Sequence, residues 1–175
     1  MKVNNIFFAL LLIIFVGGAC APEPVIHKKK FAGVNLTAHT VKTAVNGAAS
    51  YQEVNALLQR LSAELMTLED KDSTPREKDL LRHYAELLAI YQDGLLLWKY
   101  KLEFTPFAFV PKGRIYVRQD VEPIVSKYQL ATQSHVYQQT GQTWKSISED
   151  SIKIIWSNAD SQLKIIDAVT DSEGT

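Results

Sequence analysis

Residues 74–104 read TPREKDLLRHYAELLAIYQDGLLLWKYKLEF, and this stretch decides the fold. Leu80, Leu81, Tyr84, Leu87, Leu88, Tyr91, Leu95, Trp98 and Leu102 recur mostly every three or four residues. That period predicts a long amphipathic helix with one apolar stripe. Thr74-Pro75-Arg76-Glu77 marks its start. It is a capping box with proline at the first helical position, where a missing N–H leaves nothing unpaired. Thr105-Pro106 ends the helix.

Upstream, Ser50-Tyr51-Gln52-Glu53 is a second capping box. Behind it Val54, Leu57, Leu58, Leu61, Leu65 and Leu68 form another stripe. The break at Asp70–Ser73 is short, so the two helices should fold back as an antiparallel αα-hairpin. Val41, Ala44, Val45 and Ala48 share one face of a short helix ending near Asn46-Gly47. Residues 20–35 read as a flexible tether, with Pro22 and Pro24 in it. Lys28-Lys29-Lys30 reads as solvated linker charge, with anionic headgroup contact as the alternative.

Downstream the pattern changes. Phe107–Val110, then Pro111–Arg114, then Ile115–Arg118 reads as strand, turn, strand: a short β-hairpin insert or an extended loop. Asp120 is placed to cap a short helix carrying Val121, Ile124, Val125 and Tyr128. Residues 131–143 are polar and unperiodic. A last helix spans about Ser148–Val169, with Ile152, Ile155, Trp156, Ala159, Leu163 and Ile166 on its stripe. The expected fold is mostly α: a small helical bundle on an αα-hairpin, one domain over residues 36–175.

Composition excludes several classes of function. Nineteen basic and nineteen acidic residues balance, which speaks against nucleic-acid binding. GxSxG, HExxH, GxGxxG and Walker A patterns are absent. Asp79, His83 and Glu86 share one side of the long helix, where three ligands from one element leave a metal half-coordinated. They read as a solvated flank, and no metal, cofactor or catalytic residue is assigned. Tyr84, Tyr91, Trp98, Trp144 and Trp156 read as core aromatics, with an inter-helix ligand pocket as the alternative. The run Leu95–Trp98 is apolar on more than one side and needs two coverings, or else it is a partner surface. Leu96, Leu97, Tyr100, Phe107, Phe109 and Tyr116 are the residues expected at a partner contact.

The N-terminus carries an address. Lys2 precedes the apolar run Ile6–Val16, then small residues Gly17-Gly18-Ala19, then Cys20, the only cysteine. The apolar run is short for a membrane span, which takes ~20 residues. Phe15–Cys20 resembles the lipobox of bacterial lipoproteins, with Gly17 where that class usually carries an aliphatic residue. The resemblance implies a signal peptide over residues 1–19 and lipid on Cys20. It also implies a location in the bacterial cell envelope, at the outer membrane and facing the periplasm. With the thiol consumed, no disulfide or cysteine nucleophile is available. The expected function is non-enzymatic: a lipid-anchored binding or assembly protein with a protein partner in the envelope. A small-molecule or lipid carrier and an inhibitor or immunity lipoprotein are the alternatives.

Overall fold

The structure, a computed structural model of the chain, describes residues 25–69, 71, 73–107 and 109–171. Four long helices carry it: α1 (Lys28–Asn46), α2 (Tyr51–Glu69), α3 (Pro75–Phe104) and α5 (Ser151–Asp171). A short helix α4 (Glu122–Lys127) and strands β1 (Arg114–Val117), β2 (Thr132–Val136) and β3 (Thr143–Ser148) lie between α3 and α5. The molecule is therefore mostly α, a small bundle with a short β insert.

The helices close a ring, with α1 against α2, α2 against α3, α3 against α5 and α5 against α1. Antiparallel packing of the α2–α3 hairpin brings Tyr51, at the start of α2, edge-on to Trp98, late in α3, with centroids 6.0 Å apart. Phe31 of α1 stacks on Tyr84 of α3 across the middle, at 6.3 Å. The expected stripes form one core that includes Val54, Leu61, Leu80, Leu87, Ile155 and Leu163. Trp156 of α5 packs directly on the α3 backbone at Gly94, where a Cβ would meet its ring at 2.1 Å.

Both capping boxes are present. Thr74 Oγ1 accepts from Glu77 N–H at 3.2 Å, and the Glu77 carboxylate accepts from Thr74 N–H at 3.1 Å. Ser50 and Glu53 exchange the same pair at 3.3 Å and 2.6 Å. Glu77 does more than cap. It is 1 % exposed and also accepts from His27 N–H at 3.0 Å and Lys30 Nζ at 2.9 Å, with His27 Nδ1 2.9 Å away.

Three expectations are corrected. The tether expected over residues 20–35 stops short, because α1 begins at Lys28 and Ile26 and Phe31 are buried. Residues 20–24 lie outside the described residues. Lys30 is correspondingly not a free linker charge but a partner of Glu77. Residues 107–118 do not form a hairpin with themselves. β1 pairs antiparallel with β3, Ile115 opposite Ile147, in a sheet ordered β1-β3-β2. The hairpin is β2–β3, whose first strand and turn fall in the stretch that reads as polar and unperiodic. Finally, Asp120 does not cap α4, whose N-cap Val121 makes no side-chain bond. Asp120 instead accepts from the Tyr100 hydroxyl.

Candidate interaction surface

Alternation along the strands separates two faces of the sheet. Ile115, Val117 and Ile147 are buried in the core. The register places Tyr116, Trp144, Ser146, Gln133 and His135 together on the opposite face. Phe107 and Phe109, from the segment after α3, join that face, as does Tyr137 from the β2–β3 turn.

The rings form a continuous network. Centroid distances are 5.2 Å for Phe104–Tyr116, 5.8 Å for Phe107–Phe109 and 5.4 Å for Tyr116–Trp144. Phe109 meets Trp144 at 5.7 Å and Tyr137 at 6.1 Å, both edge to face. Edge-to-face contact sets the positive rim of one ring on the negative face of the next. His135 stacks on Trp144 at 4.1 Å. The network is not covered, since Phe107 and Phe109 remain 50 % and 39 % exposed. A shallow hollow of about 270 Å³ is lined by Phe109, Tyr116, Tyr137, Gln142, Thr143 and Trp144.

One long stretch beside it lacks charge. Residues 128–144 contain no Asp, Glu, Lys or Arg, in a chain where 22 % of residues are charged. Gln133, Gln142 and Thr143 supply amides and a hydroxyl instead. That stretch by itself neither attracts nor repels a charged partner.

Ser146 lies beneath these rings and is fully buried. Its Oγ accepts from Arg114 Nε at 2.9 Å and lies 2.7 Å from His135 Nε2. Arg114 Nη2 also donates to the Ser146 carbonyl at 3.0 Å. A serine beside a histidine is a possible nucleophile and base in kind. Here the hydroxyl is closed off from solvent, and one of its lone pairs is taken by Arg114. The three side chains come from β1, β3 and β2, so they pin the strands together.

The structure divides the six residues expected at a contact. Phe107, Phe109 and Tyr116 come together in the aromatic network. Leu96 is partly buried against the core. Leu97 and Tyr100 are withdrawn from any surface, because both are buried. The Tyr100 hydroxyl donates to Asp120, a bond that raises the Tyr100 pKa and lowers that of Asp120. Cys20 lies outside the described residues.

The sequence reading missed Trp144, Tyr137 and His135 as members of this surface. The legible signal was the uncharged stretch around them. Tyr84, Tyr91 and Trp156, which could have lined an inter-helix pocket, are packed in the core, with Tyr91 and Trp156 at 6.0 Å. Asp79 pairs with Arg82 at 3.2 Å. Gln162 of α5 lies 3.1 Å from His83 Nδ1 and 3.0 Å from Glu86. The polar flank therefore joins two helices, and no described group of three His, Cys, Asp or Glu is arranged to hold a metal ion.

Comparison with known proteins yields no matching family model, no matching curated protein and no matching solved structure.

Proposed function

We propose that this chain is a lipid-anchored binding or assembly protein of the bacterial cell envelope, held at Cys20 and facing the periplasm. It works without catalysis and engages a protein partner through Phe107, Phe109, Tyr116, Tyr137 and Trp144. The observation that carries this reading is the exposed, uncharged aromatic network. Contiguous exposed apolar patches are uncommon on monomeric proteins and mark contact sites, and aromatic residues dominate contact energetics. Among the described residues no helix is long and apolar enough to cross a membrane. The proposed attachment therefore rests on the lipobox-like segment.

Two results are expected. Cys20→Ser should shift the protein from the membrane fraction to the soluble fraction, or leave it unprocessed, on fractionation of the host's envelope. Unchanged processing and retention would remove the anchor from the proposal. For the surface, a photo-crosslinking benzophenone side chain at position 107 or 109 should give one discrete protein adduct in living cells. The same group at Met66, an exposed position on α2, should not. Trp144→Ala should abolish the adduct while the melting temperature moves by only a few degrees. If positions 107 and 109 behave like position 66, the aromatic network is not a contact site.

A further inference from the structure

The sheet order β1-β3-β2 makes β2 an edge. The other edge, β1, packs against α3, whereas β2 contacts little besides β3. Tyr137 N–H donates to the Gln142 carbonyl at 2.8 Å, in register with the β2–β3 ladder. Bonded and non-bonded pairs alternate in an antiparallel ladder. Gln133 and His135 therefore direct their backbone groups to β3. Thr132, Ser134 and Val136 direct theirs outward, as a row of open N–H and C=O groups.

Natural edge strands usually defend such a row with lysine, proline, an inward charge or a bulge. Thr132-Gln133-Ser134-His135-Val136 contains no proline and no Lys, Arg, Asp or Glu, and its register with β3 is uninterrupted. Four of its five residues are exposed, Val136 at 62 %. This edge borders the aromatic network through His135 and Tyr137.

We propose that the outer edge of β2 takes up an extended, uncharged segment of a partner protein as a fourth strand. Main-chain bonds to Thr132, Ser134 and Val136 supply the attachment, and alternate side chains of the added strand supply selectivity. One set of those side chains lies on the aromatic face, beside the hollow of about 270 Å³. The other set lies on the opposite face, beside a hollow of about 220 Å³ whose lining includes Val117, Glu122, Ser134 and Lys145. The uncharged stretch around β2 suits an uncharged segment. A second copy of this chain fits less well: two five-residue edges bury far less than the ~1,000 Å² of a stable interface. A longer extended segment can continue past Val136 along Tyr137. The inference deepens the reading of the aromatic surface and rests on it for the partner's location.

The test uses the whole processed protein, purified in detergent, against a phage-displayed library of twelve-residue peptides. Selected peptides are synthesised, and their binding is measured together with amide hydrogen exchange. Ser134→Pro removes an N–H that the native ladder does not use, so the fold should persist, as a melting curve checks. Thr132→Pro replaces it if that variant melts early. The expected result is slowed exchange at Thr132, Ser134 and Val136. Affinity should fall at least tenfold in Ser134→Pro and stay unchanged in Ser134→Ala.

Failure to select any peptide, or peptides that bind Ser134→Pro undiminished, would overturn the inference. So would slowed exchange at β2 caused by self-association alone. Peptides that ignore Ser134→Pro but are lost with Trp144→Ala sink strand addition and leave the aromatic surface standing. Peptides that show the opposite pattern support strand addition and remove the aromatic surface.

Discussion

Gly94→Ala is expected to destabilise the bundle by about 3 kcal/mol, read as a melting temperature roughly 10 °C lower. In an ordinary helix interior this substitution stabilises by about 1 kcal/mol, because glycine loses more backbone entropy than alanine on folding. Here the new methyl carbon would meet Trp156 ring carbons at 2.1, 2.4 and 2.8 Å. The obstacle is a buried aromatic ring, also held against Tyr91, and not the loose end of a long side chain. Either the ring leaves its place or α3 and α5 separate. Both outcomes cost contacts along the most extensive helix pairing in the molecule. Trp156→Leu frees space at the same point, so the double variant should be more stable than the sum of the single effects implies. A raised melting temperature in Gly94→Ala would show that the α3–α5 contact is not this close.

The second large effect concerns Glu77. Glu77→Ala should cost about 3 kcal/mol, because it leaves Lys30 without its carboxylate and the His27 and Thr74 N–H groups without an acceptor. Burial by itself would raise the pKa of this carboxyl. Hydrogen bonds from Lys30, His27 and Thr74 outweigh that and lower it from 4.5 to about 2. The unfolded chain therefore takes up this proton at a higher pH than the folded chain does. The stability contributed by Glu77 is complete above about pH 4.5 and is lost as pH falls toward 2. Denaturation midpoints followed from pH 6 to pH 2.5 should fall more steeply for the parent than for Glu77→Gln. Amide exchange at residues 27–30 should accelerate first, since His27 and Lys30 bond this carboxylate directly. Parallel curves for parent and variant would show that the group is not held charged by its partners.

Legibility in the sequence followed the range of the interactions. The helices α2 and α3 were readable because stripe, capping box and turn all lie within a few residues of one another. The first turns of α1 were not. Phe31 and Val34 come directly after a run of three lysines, and the partner that fixes this end, Glu77, lies forty-seven residues beyond Lys30. The β insert failed for a similar reason. β1 was recognisable as apolar, but its partner β3 lies some thirty residues on. β2 has no buried face to impose alternation, so nothing in TQSHV announces a strand. Asp120 had the right residue type for a cap and was claimed instead by Tyr100, twenty residues upstream. The candidate surface was half legible. Phe107 and Phe109 stood out as apolar residues outside any stripe, while Trp144 and Tyr137 reach them only through strand pairing. Leu97 and Tyr100 looked exposed because the sheet that packs against the end of α3 was not foreseen.

The helix α3 also sets a distance. Glu77 fixes the place where the chain enters the body, at the first turn of α3, and Phe104 meets the aromatic network at its last turn. Twenty-seven helical steps separate the two residues, a rise of about 40 Å. Because α1 begins so early, only four residues lie between Cys20 and Val25, and the five steps from one to the other span at most about 18 Å. A chain held at Cys20 would thus stand on a short leash, with the helical bundle as a post and the aromatic platform at its far end. On that reading a partner would be met up to tens of ångströms off the lipid surface, and α3 would contribute more of that distance than the short leash.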